Sequence, residues 1–362
     1  MRGRPSLLMT PGPTRVPARV LDAAHWVVHH RTADFSAALA ETLTRLRPFF
    51  GASTADVLPV HATGRAAMEG AIANFFAPGD TVVACCNGKF GEMWAGFAES
   101  YGLDVRRVSE NWKESVDPSE VEQVLRGPDR VRAVLCCHSD TSTGVLNPIE
   151  DIARVARTHD ALVMVDGISS VGGVPFRFDD WDLDFAVTSS QKCLMSSPGL
   201  AFAVVGARAW SAVARSPFPK NYLSFSAIRK TLAGEQPETP GTTPVSLVLQ
   251  VLEALRMHAE EGMDSVFARH QAMADHAAAR ADALGFGRQC PGLQQRSPTL
   301  TALTPPEGVA PKWLRTRVRE MGIEIAVGMG HFAGAGVRIG HMGDIRMADV
   351  ERTMDAIEAA LA

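Results

Sequence analysis

Short apolar runs alternate with helix-like stretches through the first half of the chain, and this alternation restricts the fold more than any other feature of the sequence. Runs at Val57 to Val60, Thr81 to Cys85, Val131 to Cys137, Ala161 to Val165, Phe185 to Thr188 and Leu200 to Val205 read as strands. Segments with helical patterning separate them, as in a mostly parallel sheet wrapped by helices. The clearest helix start is Asn147-Pro148-Ile149-Glu150, an N-cap followed by proline at the first helical position and glutamate in the first turn. Ile149, Ile152 and Val155 form its core face. The strand, helix, strand unit it completes has the length a crossover between parallel strands needs. The predicted class is therefore α/β.

Beyond the strands, Leu247, Val248, Val251, Leu252 and Leu255 recur with a helical period, predicting a long helix from Val245 to about His258 that links two domains. A second helix is expected from Phe267 to Leu284, a mixed region from Leu300 to Ile339, and a last helix with Val350, Met354, Ile357 and Leu361 on one face. Pro and Gly cluster over 215–244, where a loop is expected on the surface or against a partner subunit. The expected organisation is an N-terminal arm at 1–14, a large domain at 15–258 and a smaller α+β domain at 259–362.

Composition narrows the function. The 362 residues are 46% apolar and 21% charged with a net charge of −4, the balance of a soluble globular protein rather than a disordered one. Thirty-six basic against forty acidic residues leave no surplus to neutralise phosphates, so a nucleic-acid partner is not expected and the substrate should be small. No apolar stretch approaches eighteen residues, so no membrane span is predicted. After Arg2 and Arg4, Leu7-Leu8-Met9 is too short for a signal segment, and a cytoplasmic location is expected. The cysteines, Cys85-Cys86, Cys136-Cys137, Cys193 and Cys290, have neither metal-type spacing nor a disulfide framework. The adjacent pairs should be buried, reduced thiols at strand ends.

Of six lysines, Lys192 alone follows a strand end directly, through Ser189-Ser190-Gln191. The strand Val163-Met164-Val165-Asp166 ends in a carboxylate twenty-six residues earlier. Carboxyl ends of strands meet at the ligand crevice of an open α/β sheet, so one ligand can face both groups. Pyridoxal phosphate needs that pair: a lysine for the Schiff base and an acid to keep the pyridine nitrogen protonated. Thr63-Gly64-Arg65 opens a helix after another strand, an arrangement suited to a phosphate. Phe90, in Asn87-Gly88-Lys89-Phe90-Gly91, is placed to stack on a cofactor ring.

Taken in order, Thr10-Pro11-Gly12-Pro13-Thr14, Thr63-Gly64-Arg65-Ala66-Ala67-Met68-Glu69, Asn87-Gly88-Lys89-Phe90-Gly91, His138-Ser139-Asp140-Thr141-Ser142-Thr143-Gly144, Val165-Asp166, Ser190-Gln191-Lys192 and Val337-Arg338-Ile339-Gly340-His341-Met342-Gly343 resemble the class V aminotransferases. The likeness is to the alanine:glyoxylate, serine:pyruvate and serine:glyoxylate branch, and it runs over nearly the whole chain. It implies the type I fold of pyridoxal-phosphate transferases and that cofactor. Lys192 would then carry the cofactor and move the proton between substrate Cα and cofactor C4′, and Asp166 would pair with the pyridine nitrogen. By the same resemblance Thr63, Gly64, Arg65 and Gln191 hold the phosphate, Phe90 stacks on the ring and Thr141 bonds its phenolic oxygen. Gly12 and Arg338 face the substrate, Arg338 clamping its carboxylate bidentately. Thr242, in Thr239-Pro240-Gly241-Thr242-Thr243, reaches the phosphate of a neighbouring subunit, which implies a homodimer with shared sites.

The chain departs from the pattern at Phe90, where relatives often carry tryptophan, and at Thr239, where some carry tyrosine. Ping-pong transfer from alanine or serine to glyoxylate or pyruvate is the expected reaction. Aminoethylphosphonate, ureidoglycine, aspartate and pyridoxamine remain alternative amines. A lyase or desulfurase is a second reading, with Cys290 as its candidate thiol at the surface. A sensor whose cysteine pairs respond to oxidation is a third. His29, His30 and Arg31 are expected either to face the site or to cap a helix.

Overall fold

A computed structural model describes residues 6–362; the start of the expected arm, with Arg2 and Arg4, lies outside them. Seven strands form the central sheet: β1 (Asp56–Val60), β2 (Thr81–Cys85), β3 (Asp104–Val108), β4 (Val131–Cys137), β5 (Leu162–Asp166), β6 (Phe185–Ser189) and β7 (Ala201–Val205). Their order is β1-β7-β6-β5-β4-β2-β3. Only β7 runs antiparallel to its neighbours, so the predicted mostly parallel sheet is observed. The strand missing from the sequence reading is β3, Asp-Val-Arg-Arg-Val, whose alternating exposure marks an edge. With one covered face it needs no continuous apolar run.

Successive side chains of a strand point to opposite faces, and this parity aims the site residues. On β5, Val163 and Val165 enter the core beneath the Ala33–Phe50 and Val245–Glu261 helices, while Met164 enters the core beneath the Gly64–Phe75 helix. Asp166 therefore shares the face of Met164. The crossover helix spans Ile149–Thr158, and Asn147 does not cap it. Its amide donates instead to the Cys137 carbonyl (2.6 Å) and its Oδ1 accepts from Val116 N–H (2.9 Å). Buried beside Asn87, that side chain ties strand ends together, a long-range demand that displaced its local capping preference.

The expected long helix runs Val245–Glu261 and is followed by Met263–Ala283. A short helix, Phe225–Leu232, interrupts the stretch expected as loop, because Phe225 and Ile228 are needed in the core. The C-terminal part builds its own four-stranded antiparallel sheet from Gly287–Arg288, Leu300–Thr304, Val337–Gly340 and Ala326–Val327, in that order, with a separate core. Leu7 and Met9 are buried in that core, and Leu7–Leu8 pairs with Ile323–Glu324. The N-terminal stretch thus anchors to the C-terminal part, Gly340 N–H donating to the Met9 carbonyl (2.8 Å), before passing the turn that follows β6. Among the described residues no helix is long and apolar enough to cross a membrane.

Candidate active site

Strand order reverses between β2 and β4, and a crevice outside the carboxyl ends of strands opens at such a point. Four of the predicted segments converge there. The helix carrying Phe90 follows β2, the turn with Thr141 follows β4, Asp166 ends β5, and Lys192 follows β6.

Lys192 sits on a tight turn whose backbone is held from the N-terminal stretch: Thr14 N–H donates to the Gln191 carbonyl (3.0 Å) and Thr14 Oγ1 to the Lys192 carbonyl (3.1 Å). Its Nζ donates to the Pro11 carbonyl. Gly12 has φ +126°, and a Cβ there would lie 2.3 Å from Lys192 Nζ. Only glycine combines that backbone with space for the amine. Burial disfavours the ammonium and lowers the Lys192 pKa to about 8, with the Arg338 charge adding to the effect. At pH 7 roughly one amine in ten is then neutral, against about one in three thousand at the ordinary value.

Asp166 is 2% exposed, and its carboxylate accepts one backbone bond, from Ile168 N–H at 2.8 Å. Among the described residues no cation pairs with it in an ion pair. Burial pushes its pKa up to about 7, against the lowering by that backbone bond. A buried carboxylate short of a cation is suited to receive a pyridinium N–H, and the enclosed amine is suited to a Schiff base. These residues fit pyridoxal phosphate.

The Gly64–Phe75 helix begins at Thr63, whose exposed side chain makes no capping bond. Gly64 N–H donates to Ser189 Oγ (3.2 Å), and Ser189 Oγ donates to Gln191 Oε1 (2.6 Å). Thr63, Gly64 and Gln191 thus converge on one helix N-terminus, where backbone N–H groups and the helix dipole favour an anion. Arg65 is exposed with its guanidinium over the Phe97 ring, 5.3 Å from the centroid. Phe90 is half-buried in the first turn of the Lys89–Ser100 helix.

Arg338 lies on Val337–Gly340, between two antiparallel neighbours. Its Nε and Nη2 donate to the Val327 carbonyl (3.0 and 2.9 Å) and its Nη1 to the Thr141 carbonyl (2.8 Å). Three of its five N–H donors are spent on fixing the guanidinium, which leaves two for a carboxylate. Thr141 is buried beside it. Thr242 stands apart from these groups, exposed on a turn whose other hydroxyls face inward, Thr239 Oγ1 lying 2.7 Å from Thr243 Oγ1.

Two residues of the site escaped sequence reasoning. Asp140 is completely buried: its Oδ2 accepts from Phe90 N–H (3.0 Å), and its Oδ1 from Ser142 N–H (2.8 Å) and Ser142 Oγ (2.5 Å). The Asp-x-Ser spacing signals a local turn, but the Phe90 contact spans fifty residues and leaves no local mark. Ser189, which joins Gln191 to Gly64, figures in the sequence only as part of the link from the strand to Lys192; the structure makes it the last residue of β6.

Residues 7–351 match the family described as Aminotransferase class-V. The chain belongs to the class V aminotransferases. Enzymes of this family depend on pyridoxal phosphate, in agreement with the fit of Lys192 and Asp166. This aminotransferase is 37% identical over 362 residues to a protein of Synechococcus sp. called the small subunit of a soluble hydrogenase, covering 99% of this chain and 93% of that one. It is 33% identical over 345 residues to the L-aspartate–glyoxylate aminotransferase of Paracoccus denitrificans, covering 93% of this chain and 86% of that one. The crystal structure of an alanine–glyoxylate aminotransferase from Nostoc sp. superposes with a TM-score of 0.94 at 32% identity, covering 100% of this chain and 97% of that one.

The aminotransferase keeps its six cysteines as free thiols, all buried. Cys290, expected at the surface, is 4% exposed, and burial raises its pKa. Its thiol lies against the Gly292 and Gln295 carbonyls (3.7 and 3.5 Å), which is a packing role and not that of a thiolate on a mobile loop. Burial likewise pushes Cys193 up to about 12 and raises Cys86, Cys136 and Cys137, so the thiols are poor redox sensors. His29 and His30 cap nothing: Thr32 caps the following helix, accepting from Phe35 N–H, and Arg31 pairs with Glu238.

Proposed function

We propose that this aminotransferase transfers the amino group of a small amino acid, alanine or serine, to glyoxylate or pyruvate, with the site residues in the roles that follow. The enclosed Lys192 amine, sharing one crevice with the buried Asp166 carboxylate and the half-committed Arg338, is the observation that carries the reading. Glyoxylate is the acceptor in the names of both the Paracoccus and the Nostoc relatives.

The cofactor, when bound, supplies a ring that accepts the electron pair released at the substrate Cα. Lys192 attaches it and, once free, takes the Cα proton on Nζ, which its lowered pKa permits near neutrality. Asp166 holds the proton on the ring nitrogen. Thr63, Gly64, Arg65 and Gln191 bind the phosphate; Arg65 would have to leave Phe97 to do so, while the others already converge. Phe90 would pack on the ring, and Thr141 would bond its phenolic oxygen. Gly12 leaves the space in which Lys192 and the substrate meet. Arg338 binds the substrate carboxylate through its two free N–H groups and so orients Cα toward Lys192.

A homodimer belongs to the same proposal. Thr242 is exposed and would serve the phosphate of the partner's site, and Leu21, Trp26, Val27, Val28 and Tyr222 present exposed apolar surface. The division into residues 15–258 and 259–362 is proposed with it, each part having its own sheet and core. Six free thiols accord with a reducing, cytoplasmic location.

The test is a titration of the purified holoenzyme. Alanine or serine is expected to bleach the visible cofactor band, and glyoxylate or pyruvate to restore it. Faster bleaching by aspartate or aminoethylphosphonate overturns the substrate, and a protein that takes up no pyridoxal phosphate overturns the site. Arg338→Lys is expected to raise KM for donor and acceptor alike by about 10- to 100-fold, since an ammonium cannot reproduce the fork or keep both carbonyl anchors. Steady-state kinetics leaving both constants unchanged would place the carboxylate clamp elsewhere.

A further inference from the structure

The Lys89–Ser100 helix starts at Gly88, which has no side chain to cap it. The cap comes from a distant segment. The Asp140 carboxylate enters the space a Cβ on Gly88 would fill, 2.2 Å from Asp140 Cγ, and accepts the Phe90 N–H of the first turn at 3.0 Å. Its other oxygen is held by Ser142 N–H and Oγ, and Ser142 Oγ in turn accepts Lys89 N–H at 2.9 Å. One residue away, the Thr141 carbonyl accepts Arg338 Nη1. A single turn, 140–142, therefore grips Phe90 on one side, at the start of a helix, and Arg338 on the other, on a strand of the C-terminal sheet.

We propose that the Asp140 carboxylate is a positioning group that fixes the ring face of Phe90 against the guanidinium of Arg338, holding cofactor plane and substrate carboxylate in one geometry. The proposal rests on the roles given above to Phe90 and Arg338. An ionised carboxylate suits the place, since every group directed at it is a donor and the helix N-terminus adds its dipole. Burial raises the Asp140 pKa, and the hydrogen bonds from Ser142 and Phe90 oppose that rise. The same charge supports Arg338, whose guanidinium is weakened by burial and strengthened by Asp140. Aspartate has the reach for this span, and asparagine lacks its symmetry: one edge of the carboxamide would turn N–H toward the N–H group of Phe90 or that of Ser142.

Asp140→Asn in the otherwise intact chain tests this in two ways. Amide exchange by mass spectrometry, with and without cofactor, is expected to quicken about tenfold at Phe90 as well as within 139–144. In the holoenzyme the visible circular dichroism of the bound cofactor is expected to fall by about half and KM for both substrates to rise about tenfold, with cofactor content retained. Ser142→Ala keeps the carboxylate but breaks the Lys89 link, and should move each readout the same way by about threefold; it serves if Asp140→Asn does not fold. Quickened exchange confined to 139–144, with dichroism and KM unchanged, overturns the proposal. If the wild-type chain takes up no cofactor, the functional reading fails by itself, and the exchange data still decide whether Asp140 couples the Phe90 helix to its turn.

Discussion

Lys192→Ala is expected to lower turnover by about four to six orders of magnitude while the variant stays folded. The Lys192 amine is enclosed, directed at the Pro11 carbonyl, and pressed toward its neutral form by burial to a pKa of about 8. It is thus a usable base at neutral pH where a surface lysine is not. Stability is expected to move the other way. A lysine whose folded pKa is depressed contributes stability present above about pH 10.5 and lost as pH falls through about 8. Below pH 8 the cofactor-free Lys192→Ala chain should therefore melt no lower than wild type by calorimetry. Steady turnover by a folded Lys192→Ala enzyme would remove Lys192 from the chemistry.

The parts of the site legible in the sequence are those whose signal is local. Asp166 ends an apolar run and Lys192 follows one after a short polar turn, and the carboxyl ends of the strands of an open α/β sheet border the crevice. Thr63 and Gly64 are visible as a strand-to-helix turn for the same reason. What was hidden is long-range. Asn147 looked like a cap because its neighbours make a good helix start, yet Cys137 and Val116 claimed its side chain. Asp140 showed only its turn with Ser142; its partner Phe90 is a backbone amide, and amides carry no sequence identity. The edge strand Asp104–Val108 alternates polar and apolar residues and so lacks the continuous apolar run that marks the buried strands. Cys290 was placed at the surface by its Gly and Pro neighbours, while the Gly292 and Gln295 carbonyls fold back over it.

Asp166→Asn is expected to separate the needs of the fold from those of the reaction. In the cofactor-free chain the carboxylate has a pKa near 7, raised from 3.8 because burial penalises the charge. Its sign follows from linkage: the folded state holds the proton across a window where the unfolded state has released it, so stability present below about pH 4 is lost as pH rises through about 7. At one pKa unit per about 1.4 kcal/mol, the charged form costs up to about 4 kcal/mol at pH 8. Asparagine is isosteric, keeps an oxygen for Ile168 N–H, and carries no charge to desolvate. The cofactor-free variant should thus melt higher than wild type at pH 8, with the difference shrinking toward pH 4. Turnover should change in the opposite sense and fall by about two to four orders of magnitude, because a neutral amide cannot hold a proton on the ring nitrogen. Equal melting temperatures at both pH values would mean that Asp166 is not desolvated. Retention of more than about a tenth of the activity would mean that its charge does not serve the cofactor. A gain in stability coupled to a loss of function is the result that assigns the buried charge to the chemistry, since the fold alone is better off without it.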